Sequence, residues 1–378
     1  LEFRRVLFRS QTDATTISTV GDYAVLAKVG TLRANNYKFV FEPGNLRINK
    51  APLTVTVNNA SRTYGDPNPS FSSAISGYVL GQNAANSGVT GAPVLNTQAD
   101  ATSGAGKYPI TGTVGTLSAA NYDFTFVAGE LSVNKALITV TPDSVRRKYG
   151  EENPTFTASY NGFKNGENLA GSGITGAPRL YTFATSASPV GNYPVNSAPG
   201  DLSAANYYFD YKQGNLAVGK AIVTVKADNK VKTYGADLPA FTVTYSGFQN
   251  TDNELNSNIT GQLQLGTTAT ASSGAGTYPI SVAGGTLSAP NYDCAFDNGV
   301  LTVDKAVVNV IAENKSRTYG VANPSFTARY EGLVLGQNAL SSGITGTPAF
   351  NTDAVVSSPA GSYPIKASAG SLSSGNYS

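Results

Sequence analysis

Residues 121–140 read NYDFTFVAGELSVNKALITV, and three alternating patterns follow one another in them. Tyr122, Phe124 and Phe126 alternate with polar or small residues. Leu131 and Val133 do so after a short Ala-Gly-Glu turn, and Ile138 and Val140 do so again beyond Lys135. A period of two belongs to a half-buried strand. The first two runs therefore predict a hairpin with Gly129 in its turn. The apolar parity flips from odd (Leu131, Val133) to even (Ile138, Val140) across Lys135, which predicts a hinge of about one to three residues joining two structural units without a linker.

Outward from this stretch the same landmarks return at a fixed step of 85 residues. Lys-Ala recurs at Lys50, Lys135, Lys220 and Lys305. Tyr-Gly recurs at Tyr64, Tyr149, Tyr234 and Tyr319, and Asn-Tyr at Asn36, Asn121, Asn206, Asn291 and Asn376. A Gly-x-Tyr element keeps the step from Tyr23 to Tyr363. The chain thus holds a partial copy (11–49), three whole copies (50–134, 135–219 and 220–304) and a further copy (305–378) that stops short of its last strands. Residues 1–10, LEFRRVLFRS, match nothing later and read as an adaptor-derived or cloning scar. With no methionine in 378 residues, the sequence reads as a fragment whose neighbours are flanking domains of the same longer chain.

A unit of this length is able to bury a modest core of its own, so small domains in series are expected. Leu53-Thr-Val55 opens the first whole copy as a strand, and Phe71 to Ile75 is another. Gly106 to Ile110 is predicted as an edge strand because Pro109 removes a ladder donor. Only Gly81 to Gly91 has room for a helical turn. Each copy is then a mainly β domain of six or seven strands. If its first and last strands lie parallel and adjacent, entry and exit fall at opposite poles, and the array is an elongated rod of roughly 30–40 Å per domain.

Composition removes whole classes of chemistry. The chain has 13% charged residues, one cysteine and no histidine or tryptophan. Without histidine there is no Ser-His-Asp relay and no HExxH zinc site, and one cysteine builds neither a disulfide framework nor a CxxC knuckle. The first ten residues supply the whole net charge of +2, leaving residues 11–378 formally neutral, which argues against nucleic-acid binding. No apolar run approaches the ~20 residues of a membrane span, so no membrane insertion is expected within this segment. No Asp or Glu column is filled in all copies, which removes a repeated calcium site. Net charge wanders from −1 to +1 to −3 over the three whole copies, as suits domains kept for shape rather than for one charged ligand. No cofactor and no enzymatic activity are expected.

The combination of YGDPNP (64–69), YGEENP (149–154) and YGVANP (319–324) with Gly-x-Tyr-Pro-Ile and a closing Asn-Tyr-x-Phe and Gly-x-Leu-x-Val-x-Lys-Ala resembles the MBG domain of the YGX type. The third copy departs from it, with YGADLP (234–239) lacking the Asn, and the first partial copy has Ala24 in place of Pro. The resemblance implies a tandem array of mostly β domains, β-grasp-like, in an exported bacterial surface protein of the adhesin or filamentous haemagglutinin-like kind, with no catalytic residues. An immunoglobulin-like sandwich fits the same short strands. The resulting expectation is a stalk or spacer of a bacterial cell-surface or secreted protein, hence extracellular, that projects a functional module. The alternative is that the copies themselves bind glycans or host surface proteins, weakly and multivalently.

Four recurrent pairs are the candidate ligand-binding residues: Arg62 with Tyr64, Arg147 with Tyr149, Lys232 with Tyr234, and Arg317 with Tyr319. Residues i and i+2 share a face of a strand, so each pair offers a cation beside an aromatic ring, either to a sugar or acidic glycan or simply as a cation–π contact shielding the strand. The Asn-Tyr pairs read as turn asparagines followed by a core tyrosine. Cys294 takes the column of Phe39, Phe124 and Phe209 and reads as a small buried group. A Lys-Asn isopeptide link at the copy starts would need a nearby buried acid, and none recurs.

Overall fold

The computed structural model describes residues 9–378, and all their regular elements are strands. Most of the stretch 1–10, read above as a scar, lies outside the described residues, but its last two open β1 (Arg9–Gln11). This strand pairs antiparallel with β2 (Gly21–Lys28), which also pairs with β3 (Gly44–Ile48).

The first whole copy contributes β4 (Ala51–Val57), β5 (Ala60–Thr63), β6 (Ser73–Ser76), β7 (Val94–Asn96), β8 (Gly106–Thr113), β9 (Tyr122–Val127) and β10 (Gly129–Asn134). They divide into two sheets, in the orders β6-β4-β9 and β5-β10-β8-β7. Alternation holds where it was read: Leu53 and Val55 on β4, and Leu131 on β10, are fully buried. The array is mainly β, as expected. With its strands shared between two small sheets and no helix among the described residues, each copy is closer to a sandwich than to a single grasping sheet.

Four local expectations are corrected. Tyr122–Val127 and Gly129–Asn134 are not a hairpin. They part at Ala128, β9 pairing parallel with β4 (Leu53 opposite Phe124) and β10 pairing parallel with β5 (Val133 opposite Arg62). Gly129 allows the crossing, since a Cβ there would stand 2.7 Å from the Val57 carbonyl oxygen. The first strand accordingly lies beside the penultimate strand, not the last. β8 is internal rather than at an edge, yet β7 reaches only Thr111–Thr113, so Pro109 has a strand on one side alone. Residues 81–91 form turns instead of a helix: the Asn83 side chain accepts the Ala85 N–H at 2.9 Å, a local bond that competes with helix.

The second copy repeats the plan with β11 (Ala136–Pro142), β12 (Val145–Lys148), β13 (Ala158–Asn161), β14 (Arg179–Tyr181), β15 (Gly191–Ala198), β16 (Tyr207–Tyr211) and β17 (Gly214–Gly219). β11 pairs with β13 and β16, and β12 runs parallel to β17. The third copy forms both sheets again, from Ala221–Ala227 to Gly299–Asp304. In the last copy Asn309–Ala312 pairs with Ala328–Glu331, and Ala349–Asn351 with Lys366–Ser368.

The chain divides into two compact units, Leu1–Asp143 with Phe156–Tyr181 and Val195–Gly214, and Ser144–Thr155 with Thr182–Pro194 and Asn215–Ser378. The division passes through the second copy, not through its Lys-Ala ends. Within the first unit, one core joins Val57, Ile110, Leu131 and Val133 of the first copy to Ala136, Ile138, Val140 and Tyr207 of the second. Within the second, Val225, Ile280, Leu301 and Val303 share a core with Ala306 and Tyr377 of the last copy. The four-stranded sheets of the first and third copies therefore pack both on the three-stranded sheet of their own copy, through Val57 and Val225, and on residues of the copy that follows.

Candidate functional site

The basic residue of each candidate pair lies beside its neighbours' main chain. Arg62, 7% exposed on β5, donates through Nε to Asn68 Oδ1 at 2.8 Å and through its terminal nitrogens to the carbonyls of Thr63 and Asp100. Asn68 in turn donates to the Ala99 carbonyl at 2.6 Å. The guanidinium and the Asn of Tyr-Gly-x-x-Asn-Pro thus clamp two turns together, a task that suits Arg's rigid fork of donors. Arg147 repeats this with Asn153 and Thr185. In the third copy both residues change at once: Leu238 replaces the Asn, and Lys232 reaches the carbonyls of Ala236 at 2.8 Å and Ala271 at 3.1 Å directly. Arg317 makes the same bond to Asn323, at 2.7 Å. Instead of stacking on the tyrosine two residues on, these cations are spent on carbonyl and amide oxygens.

The tyrosines lead to the junction between copies. Tyr64 is 3% exposed and donates its hydroxyl proton to Glu167 of the second copy at 2.5 Å. Tyr207 donates to the other oxygen of Glu167 at 2.6 Å, and the two rings meet edge to face with centroids 5.5 Å apart. Gly65 follows with φ +85°, and a Cβ there would lie 2.4 Å from the Cβ of Lys164. Tyr-Gly is therefore a docking motif: the ring enters the neighbouring copy and the bare Cα lets that copy's loop come close. Asn206 closes the junction from the other side, its Oδ1 accepting the Ala105 N–H at 2.9 Å. The Gly-x-Tyr element shapes that donor loop, since Tyr108 donates to the Gly104 carbonyl at 2.9 Å.

The second unit contains two more such junctions. Tyr149 and Tyr292 both donate to Asp252 Oδ2, at 3.0 and 2.6 Å, with rings 5.5 Å apart. In the other, Gln337 donates to the Tyr234 hydroxyl at 2.9 Å and accepts from Tyr377, again with rings 5.5 Å apart. Asn291 accepts the Val190 N–H, and Asn376 the Ala275 N–H, at 3.0 and 2.9 Å. Electrostatics follow from this geometry. The bond to Glu167 and burial push the Tyr64 phenol up, and burial with the same bond raises Tyr207 to about 12. Burial and Asp252 raise Tyr149 and Tyr292 likewise.

Arg62, Tyr64, Arg147, Tyr149, Lys232 and Tyr234 are all 3–7% exposed, the cations against turns of their own copy and the tyrosines in the junction with the next. Tyr319, at 67%, is exposed, and residues 305–378 hold no counterpart of the Gly129–Asn134 strand that lies beside Arg62 and Tyr64 in the first copy. Asn206, Asn291 and Asn376 bond across to another copy as well as preceding a core tyrosine. Cys294 packs partly buried against the second unit's core, and burial raises its thiol. The starting lysines donate to main-chain carbonyls, Lys135 to Ala204 at 2.8 Å and Lys305 to Ser374 at 2.7 Å. The acceptor shared by the two tyrosines, at Glu167, Asp252 and Gln337, was not singled out from sequence. Its signal is a polar residue always preceding Asn, in GQN, GEN, TDN and GQN.

No curated protein matches the chain. Among solved structures, the crystal structure of Drosophila N-cadherin EC1-4 aligns at 8% identity over 75% of this chain and 83% of that one, with a TM-score of 0.20, a likeness that carries no argument here. The family model for the MBG domain (YGX type) matches residues 53–132, 138–217, 223–302 and 308–378. Each whole match contains one Arg-or-Lys clamp and one docking Tyr-Gly, and the chain belongs to the MBG domain (YGX type) family.

Proposed function

We propose that this segment is a non-catalytic spacer, a stalk of tandem copies in a bacterial cell-surface or secreted adhesin-like protein that holds a functional module away from the envelope. The observation that carries this is the use made of the recurring residues. Tyr64 with Glu167 and Tyr207, and their counterparts in the other junctions, fix copy to copy. The cores continue across the Lys-Ala link, leaving no free linker there. A device that recurs at three junctions and faces inward serves geometry. Binding of glycans or host surface proteins by the Arg-Tyr pairs would first require the junctions to open.

Small-angle scattering from the full chain tests this. A spacer gives an elongated profile, with a radius of gyration well above the ~21 Å of a compact globule of this length. A value near ~21 Å would remove the proposal. A glycan and host-protein array on the same sample asks the other question, and binding that is lost on Arg62→Ala with Tyr64→Ala would move function from spacing to recognition.

A further inference from the structure

The three junctions share one geometry but differ in chemistry, and the differences are correlated. The loop that each copy presents to its predecessor reads VLGQ at 79–82, KNGE at 164–167, QNTD at 249–252 and VLGQ at 334–337. The residue after Tyr-Gly, which each copy presents to its successor, is Asp66, Glu151, Ala236 and Val321. Acidic Asp66 meets the KNGE loop, where it forms an ion pair with Lys164 at 3.0 Å and Asn165 donates to the Ala101 carbonyl at 3.3 Å. The copy bearing acidic Glu151 meets the QNTD loop, whose Gln249 stem lies over Gly150 and whose Asn250 donates to the Ser186 carbonyl at 3.5 Å. The copy bearing Ala236 meets VLGQ, with Val334 lying over Gly235. Asn165, Asn250 and Leu335 hold the same positive φ, 52–55°, so the backbone is shared and only the side chains are exchanged.

We propose that the junctions belong to two matched classes, an acidic tail with a polar loop and an apolar tail with an apolar loop, and that the match decides which copy is able to follow which. The partner of each face is another MBG copy, of the complementary class. Crossing the classes sets the Asp66 carboxylate against valine, without its ammonium partner, and discrimination of that kind rests on the mismatch as much as on the match. Copies this similar, strung on one chain, need such a rule, because pairing between the wrong copies is a characteristic failure of repeat proteins. The inference goes beyond the spacer proposal and does not depend on it.

Three backbone amides each cross one junction and report on it separately: Ala105, Val190 and Ala275. Their hydrogen exchange, followed by NMR in the full chain, provides the test. Lys164→Val with Asn165→Leu places an apolar loop behind the acidic tail. Exchange at Ala105 is expected to rise about 5-fold, with Val190 and Ala275 unchanged. Adding Asp66→Ala completes the apolar class and is expected to bring Ala105 back to within about 2-fold of the starting rate. The proposal is overturned if the third substitution leaves Ala105 as fast as before or faster, or if all three amides accelerate together.

Discussion

Tyr64 and Tyr319 open the same motif, yet one is 3% exposed and the other 67%. Around them the local bonds agree. Arg62 and Arg317 both bind the motif's Asn, at 2.8 and 2.7 Å, and Asn68 and Asn323 both continue to a main-chain carbonyl, at 2.6 and 2.8 Å. Gly65 and Gly320 have φ of +85° and +84°. The conformation of the turn is therefore written in the copy that owns it. What differs is the cover: Tyr64 has the strand Gly129–Asn134 beside it, its N–H bonding the Asn134 carbonyl, and reaches Glu167 and Tyr207 of the next copy, whereas residues 305–378 hold a counterpart of neither. The turn shapes itself, and the ring is buried only where the closing strand and the following copy are both present.

The largest test of this contrast is Tyr64→Ala against Tyr319→Ala, measured by denaturant unfolding of the full chain. Loss of the Tyr64 ring from a filled junction should cost about 3–5 kcal/mol, and loss of the exposed ring less than about 0.5 kcal/mol. Equal costs would break the comparison. Gly65→Ala and Gly320→Ala sharpen it. Both force a side chain onto positive φ, at roughly 1 kcal/mol, but only at Gly65 does the new Cβ meet Lys164, while Gly320 has nothing within 4 Å. Gly65→Ala should therefore be the worse by about 1–2 kcal/mol, and that excess measures the neighbour alone.

The smallest expected effect is that of alkali. Tyr207 ionises at about 12 in the folded protein, against roughly 10 for a free phenol. The neutral form is favoured by folding, so its contribution is whole below about pH 10 and is lost as pH rises toward 12. The melting midpoint, followed by circular dichroism, should fall across that window. A midpoint that stays level through it would show that the phenols of the junction do not govern its stability.

The step of 85 residues was legible because Lys-Ala, Tyr-Gly and Asn-Tyr keep it without a gap, and the strands at Leu53 and Leu131 were legible from alternation alone. Partnership was not. Alternation shows which residues of Gly129–Asn134 face inward but not that the strand pairs with Ala60–Thr63, some 70 residues earlier, and leaves Tyr122–Val127 to another sheet. It likewise places Arg62 and Tyr64 on one face without showing that Arg62 is held by turns of its own copy while Tyr64 is covered by the next. Glu167, Asp252 and Gln337 escaped notice for a different reason: the junction asks for a hydrogen-bonding group of suitable length, which three residue types supply, so identity is not preserved where the role is.

The parallel pairing of β4 with β9 and of β5 with β10 bears on tension. A pull along the chain enters a copy at the start of β4 and leaves at the end of β10. In each case the pulled strand is held by a parallel partner along its length, so the ladder's hydrogen bonds are strained side by side instead of one at a time. A hairpin pulled at its two free ends would peel open bond by bond. Each pulled strand also has an antiparallel partner on its other side, β6 for β4 and β8 for β10, so shear loads the ladders on both sides of the strand together, and extraction of β4 or of β10 from between its two partners sets the force at which a copy gives way.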